Sequence, residues 1–303
     1  MKTKKQVIIG LLLSSLTASV NAAPGSGTEG ASFLNIPVGA EPAAMGGAYS
    51  ASALNAYAPT WNPGGLGKIS GTQIAVQHLD YLESINYEHF GFVQPFDKGR
   101  GFGASIQYLG TADISATDAT GAPMGSFDSH YGAYSLSYGH SLSSRLSMGI
   151  TGKLIEAKIE SVSATAYAAD FGALYQATTK LMLAGVLRNV GTELKFLNEG
   201  DPLPLGLHLG GTYLATPAVT LALEGVVRQT GLASVHSGIE WRPADPLALR
   251  IGYRTDTIKE LSALAGLTAG VGIKVMGQTL SYAWVPLDDL GNTQYISLLI
   301  QFR

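Results

Sequence analysis

From about residue 71 to its end the chain is a succession of short segments in which apolar side chains alternate with small or polar ones. A period of two sends successive side chains to opposite sides, so each segment predicts a strand with two unlike faces. In 268–276, Ala269, Val271, Ile273 and Val275 form one face and Thr268, Gly270, Gly272 and Lys274 the other. Near the C-terminus Ile296, Leu298, Ile300 and Phe302 alternate with Tyr295, Ser297, Leu299 and Gln301. Leu249, Ile251 and Tyr253 alternate with Arg250, Gly252 and Arg254, and Val235, Ser237, Ile239 and Trp241 with His236, Gly238, Glu240 and Arg242. The segment 87–96 supports either face assignment.

This reading gives fourteen strands, near 71–80, 86–95, 101–110, 130–140, 145–156, 165–176, 180–190, 205–214, 219–228, 235–242, 247–254, 268–275, 278–285 and 294–302. Most are close to the roughly 9–11 residues that a tilted strand needs to cross a bilayer. Links after even-numbered strands are tight, such as Asp97-Lys98-Gly99-Arg100, Ala215-Thr216-Pro217-Ala218 and Met276-Gly277. Those after odd-numbered strands are longer, notably Thr111 to Ser129, Gly191 to Pro204 and Thr255 to Leu267. Transmembrane barrels put tight turns at one end and longer loops at the other, whereas a soluble β-sandwich has no reason to sort its links this way. The expected fold is therefore all-β: a transmembrane, antiparallel, up-and-down barrel spanning residues 71–303.

Composition fits lipid. Only 14% of residues are charged and 46% are hydrophobic, against roughly 25% charged in soluble domains. The charges in the strands collect on the face opposite the apolar one: Lys153, Asp170, Arg188, Glu224, Arg228, Glu240, Arg242, Arg250, Arg254 and Lys274. Charges at membrane depth belong in a lumen, where they either pair with one another or line a solute path. Aromatics near strand ends, including Tyr81, Phe92, Tyr108, Tyr175, Tyr213, Trp241, Tyr253, Trp284 and Phe302, fit interfacial girdles.

The first 22 residues combine a basic start, Met1-Lys2-Thr3-Lys4-Lys5, an apolar run from Val7 to Leu16 and small residues at Val20-Asn21-Ala22. That pattern predicts a secretory signal peptide and export, and with the expected barrel it points to the outer membrane of a bacterium. Residues 23–70 do not alternate. They hold small residues and Pro-containing turns, with a short helix expected to start at Pro42. A segment of this size is expected to tuck inside a fourteen-stranded barrel as a hatch.

Enzyme chemistry finds no foothold. The six histidines form no His-Glu-x-x-His pair, and with no cysteine a structural zinc site is not expected. His140 stands near Ser137 and Ser141, but no Gly-x-Ser-x-Gly elbow occurs. Gly99-Arg100-Gly101-Phe102-Gly103 leads into a strand and not a helix, so it is no phosphate loop. Asp288-Asp289 reads as a solvated loop before it reads as a calcium site. A net charge of -3 predicts no nucleic-acid partner. No catalytic residue, cofactor or metal is assigned.

Several motifs carry a resemblance. Phe33-Leu34, Gly39-Ala40, Met45-Gly46-Gly47-Ala48-Tyr49 and Trp61-Asn62-Pro63-Gly64-Gly65-Leu66 resemble the N-terminal signature of the PorV/PorQ family, within the wider group typified by the fatty-acid channel FadL. Arg188-Asn189-Val190-Gly191, Leu203-Pro204-Leu205, Ala248 to Arg254 and Tyr282-Ala283-Trp284-Val285-Pro286-Leu287 extend it through the chain. Two departures stand out: Leu54-Asn55 replaces an acidic pair, and the loops are short. The resemblance implies a fourteen-stranded barrel with an N-terminal hatch in which Met45, Gly46, Gly47, Asn62 and Pro63 form the gate. Arg188, Glu224, Arg228, Glu240, Arg250 and Arg254 are the lumen-facing charges. It also implies two alternative functions: passive passage of small hydrophobic, fatty-acid-like solutes, or docking of secreted cargo for the type IX machinery. Short loops favour the first, and the motif set favours the second. In the long sixth loop, Ile258, Leu261, Leu264 and Leu267 read as loop packing or as a short helix flanking an entry groove.

Overall fold

The structure is a computed structural model that describes residues 29–82, 85–97, 99–256, 263–287 and 291–302. The expected signal peptide, Ile258, Leu261 and the Asp288-Asp289 pair lie outside these residues.

Fourteen antiparallel strands close into a barrel, and each overlaps a strand expected from the alternation. They are β1 (Gln73–Asp80), β2 (Ile85–Asp97), β3 (Arg100–Thr117), β4 (Pro123–Ser141), β5 (Leu146–Ile159), β6 (Val162–Gln176) and β7 (Leu181–Gly191). After a small hairpin of β8 (Leu194–Phe196) and β9 (Glu199–Asp201) come β10 (Gly206–Thr216), β11 (Val219–Arg228), β12 (Ala233–Ala244) and β13 (Leu247–Arg254). The ring ends with β14 (Leu267–Val275), β15 (Gln278–Pro286) and β16 (Asn292–Gln301). Each barrel strand pairs with the next, and β1 pairs with β16, Gln77 opposite Ser297, so no edge remains. Closure is what lipid demands, because an unpaired backbone N–H or C=O inside a bilayer has no water to bond.

The period of two holds in three dimensions. On β4 the outward Leu136 is 73% exposed while its neighbour Ser135 is 5% exposed. Ile251 and Arg250 divide in the same sense on β13. The segment 87–96, ambiguous by pattern, turns Tyr87, His89, Gly91 and Val93 inward.

Two expected loops are corrected. Thr111 to Ser129 is mostly strand: β3 and β4 continue as a protruding hairpin joined at 118–122, across irregularities at Thr111/Ile114 and Ala116/Thr117. Both its faces are largely exposed, so burial imposed no alternation for the sequence to display. Gly191 to Pro204 holds the β8–β9 hairpin, whose Leu194 is buried in the core cluster. The opposite end keeps its tight turns. Met276 and Gly277 both adopt positive φ (53° and 84°), the backbone of a two-residue hairpin turn that follows strand twist.

Pro42–Ser50 and Ala56–Gly67 are buried throughout, against side chains on the barrel's inward face. Helix α1 (Ala40–Ala44) begins two residues before the expected Pro42 and ends where Gly46 and Gly47 take φ of 65° and 81°, the left-handed exit that glycine allows. Helix α2 (Ala58–Trp61) stops at Asn62, whose φ of −160° is extended and whose Oδ1 accepts from Gly64 N at 2.9 Å. This caps the following 3-10 turn, Pro63–Lys68. The barrel wall is glycine where this segment passes closest. A Cβ on Gly149 would lie 2.2 Å from Pro63 O, and one on Gly252 would lie 2.1 Å from Gly46 N.

Candidate functional site

The inward residues of β10–β15 grip the segment by charge. Glu224 on β11 accepts at Oε2 from Tyr49 N (3.1 Å), Ser50 N (2.9 Å) and Ser50 Oγ (2.7 Å), while Oε1 lies 2.8 Å from His208 Nδ1. The carboxylate is 1% exposed, and four donors replace its lost water. Two strands on, Arg250 Nε donates to Glu240 Oε2 at 2.8 Å, and its Nη2 lies 3.7 Å from Glu41 Oε2 on α1. Thr268 Oγ1 accepts from Gly46 N at 3.1 Å and donates to Ala44 O at 3.0 Å. Gly47 passes His236, and a Cβ there would lie 3.0 Å from His236 Nδ1. Met45 packs over Gly238, where an added Cβ would meet it within 2.9 Å.

Asn62 and Pro63 form a second anchor on the other side of the ring, at β4–β6. Asn62 Nδ2 donates to Ser50 O (2.9 Å) and to Ala173 O on β6 (3.2 Å). Ser147 Oγ on β5 donates to Gly64 O at 2.6 Å, and Thr151 Oγ1 to Pro59 O at 3.0 Å. The Arg188 guanidinium stands 5.6 Å from the centre of the Trp61 ring, a cation–π distance. Lys153 Nζ meets Asp170 Oδ2 and Asn189 Oδ1, each at 2.7 Å.

Not every expected lumen charge is enclosed. Arg188, Glu224, Glu240 and Arg250 are buried, but Arg242 and Lys274 are exposed near the tight turns after β12 and β14. Arg228 and Arg254 are half-buried at the opposite mouth, where both reach Asp256: Arg254 Nε at 2.6 Å and Arg228 Nη2 at 3.3 Å. His236 Nε2 is 3.3 Å from the same carboxylate. Burial alone would push the Asp256 carboxyl up, but the charge of Arg254, with His236, outweighs it and holds the group well below the ordinary carboxylate range. Of the expected girdle aromatics, Tyr81 packs against the core, while Tyr175, Tyr213, Trp241 and Phe302 face outward. In the sixth loop the described part is Thr255, Asp256 and a 3-10 turn, Ala263–Gly266, and Leu267 already belongs to β14.

Sequence reasoning passed over Glu41, Tyr49, Ser50, His208 and Asp256. Strand parity was the available signal for His208. For Glu41, Tyr49 and Ser50 none exists, since their partners lie as far as 209 positions away along the chain, as with Glu41 and Arg250, whereas Asp256 stands only two residues from Arg254.

Beside the protruding hairpin is a cavity of about 190 Å³ lined by Glu29, Gly30, Ala31, Ser32, Phe33, Leu109, Tyr131, Leu194, Phe196 and Asp201. Its volume would admit a single aromatic ring or a short alkyl chain, but Glu29, Ser32 and Asp201 beside Phe33, Leu109, Tyr131 and Phe196 make the accessible lining more polar than apolar.

No family model and no curated protein matches the sequence. Solved structures do match the fold. A deltaS2 mutant of the TodX monoaromatic hydrocarbon channel gives a TM-score of 0.59 at 13% identity, over 88% of this chain and 99% of that one. The CymD monoaromatic hydrocarbon channel gives 0.61 at 12% identity, over 88% and 98%. A FadL homologue of Pseudomonas aeruginosa gives 0.61 at 11% identity, over 88% and 99%. At such identities the likeness is one of fold alone, that of a closed antiparallel β-barrel.

Proposed function

We propose that the chain is an outer-membrane channel, not an enzyme, that passes small hydrophobic solutes by passive diffusion, with residues 23–70 as its hatch. The observation that carries this reading is a closed barrel, apolar outside, with Pro42–Ser50 and Ala56–Gly67 buried against its inward-facing residues and joined to them by side-chain bonds and not by strand pairing. Such a segment is able to move without breaking the wall. The cavity where Phe33, Leu109, Tyr131 and Phe196 stand beside Glu29, Ser32 and Asp201 is of a size to admit such a solute. The fold shared with two monoaromatic hydrocarbon channels supports the same solute class. The motif resemblance to the PorV/PorQ proteins supports a barrel with its tight-turn end in the periplasm.

The test is uptake of radiolabelled toluene by Gram-negative cells that make the barrel, against cells that lack it. Faster initial uptake is expected; equal rates with the barrel folded and abundant would refute the channel. The docking alternative rests on the motif resemblance. A pull-down from gently solubilised outer membranes that returned secreted proteins sharing one C-terminal domain would put docking in the channel's place.

A further inference from the structure

The two walls that face the hatch are built differently. On β10–β15 it meets Glu224, Arg250 and Thr268 through hydrogen bonds and an ion pair. On β1–β4, among the described residues, it makes two hydrogen bonds: Gly39 N donates to Gln77 Oε1, and Ser141 Oγ donates to Gly67 O at 2.8 Å. Between those points the contacts are of packing, with the Tyr57 ring 5.9 Å from that of His89. An added Cβ on Gly91 would lie 2.5 Å from Ala56 O, and one on Gly103 would lie 2.7 Å from Pro59 Cγ.

This bond-poor wall is nonetheless polar. Eight buried side-chain atoms here have no hydrogen-bonding partner: Gln73 Oε1, Gln77 Nε2, both ring nitrogens of His89, Ser105 Oγ, Gln107 Nε2, Ser135 Oγ and, on the hatch, Thr60 Oγ1. Register makes them one patch. Gln77 pairs with His89, His89 with Gln107, and Ser105 with Ser135. The patch continues the outer cavity downward, because Gln107 and Ser105 follow the cavity-lining Leu109 at steps of two along β3, and Ser135 follows Tyr131 on β4. Buried polar groups without partners favour any state in which water or a ligand supplies them. Charge-assisted bonds oppose separation at the other wall.

We propose that the hatch parts from the β1–β4 wall while staying bound to β10–β15, and that the seam so opened is the solute path. One side of the seam is amide, imidazole and hydroxyl; the other is Ala56, Tyr57 and Pro59. Such a cleft fits an amphiphile: a compact aromatic or alkyl body with one neutral hydrogen-bonding head, handed from Gln107 and His89 to Ser105 and Ser135. The solute class rests on the channel reading; the side on which the hatch opens does not.

The chain has no cysteine, so single Ser→Cys variants report local opening through their reaction with a small cationic methanethiosulfonate on folded protein in vesicles. Ser105→Cys and Ser135→Cys are expected to react at least about tenfold faster than Ser281→Cys, a buried β15 position beside Arg250, as loss of even one favourable bond on opening predicts. Equal rates, a faster Ser281→Cys, or no reaction at any site would overturn the proposal. Heat-modified gel mobility confirms that each variant is folded. As a second measure, His89→Phe combined with Gln107→Met is expected to lower phenol uptake about tenfold while changing toluene uptake far less. An equal loss for both solutes would overturn the head-group assignment. Absence of uptake with the labelling pattern intact would refute the channel reading alone.

Discussion

Glu224 is the strongest single tie between barrel and hatch, and its removal has a calculable consequence. In Glu224→Ala, Tyr49 N, Ser50 N, Ser50 Oγ and His208 Nδ1 lose their common acceptor. Breaking one partner of a buried charged cluster costs about 3–5 kcal/mol, much of it from donors left dehydrated. At about 1.4 kcal/mol per decade, hatch opening should rise roughly 100- to 5,000-fold. Glu224→Gln keeps the shape. Its carbonyl still accepts the three donors that converge on Oε2, and its amide faces the imidazole, which accepts in the other tautomer. Only the charge is lost, so opening should rise less than about tenfold. The assay is thiol labelling of Ala51→Cys, a buried hatch position packed near Leu174 and Ala184, in each background. Both variants should keep the folded barrel's gel mobility, because strand pairing is untouched. The reasoning fails if Glu224→Ala labels no faster than the parent, or if Glu224→Gln labels as fast as Glu224→Ala.

Gly149→Ala sets a Cβ against the Pro63 carbonyl, which is backbone and cannot swing aside; a cost of about 1–3 kcal/mol should appear as faster labelling of hatch thiols in an intact barrel. Ile251→Arg puts a charge on the lipid face in mid-strand β13, and folding into vesicles should weaken by about 2–4 kcal/mol, read by urea titration of tryptophan fluorescence; no change would place this face away from lipid. Asp256→Asn tests the mouth cluster. A depressed carboxyl contributes its full stability above the unfolded value of about 3.9 and loses it only as pH falls below that, toward the folded value. The variant should therefore melt lower than the parent at pH 7, with the gap closing only below about pH 4. A gap that closed between pH 5 and 7 would refute the carboxylate assignment.

The alternation along the chain determined the strands, their number and which side faces lipid. A half-buried strand must repeat every two residues, and that repeat is local. The same parity put Glu224, Glu240 and Arg250 on the inward face before any partner was known. Parity was silent where burial made no distinction: the β3–β4 extension is exposed on both faces, and the segment 87–96 turned inward at His89 only when its pairing with β1 and β3 fixed the register. Gly46, Gly47, Asn62 and Pro63 were legible as a special stretch, through residue types that permit tight backbone and caps. What they touch was not. Tyr49 and Ser50 meet Glu224 across 175 and 174 positions, and the unpartnered atoms of the β1–β4 wall form a patch only once the ring has closed. Closure brings distant strands together through backbone bonds common to every residue, so side-chain identity carries no record of which inward residue the hatch will meet.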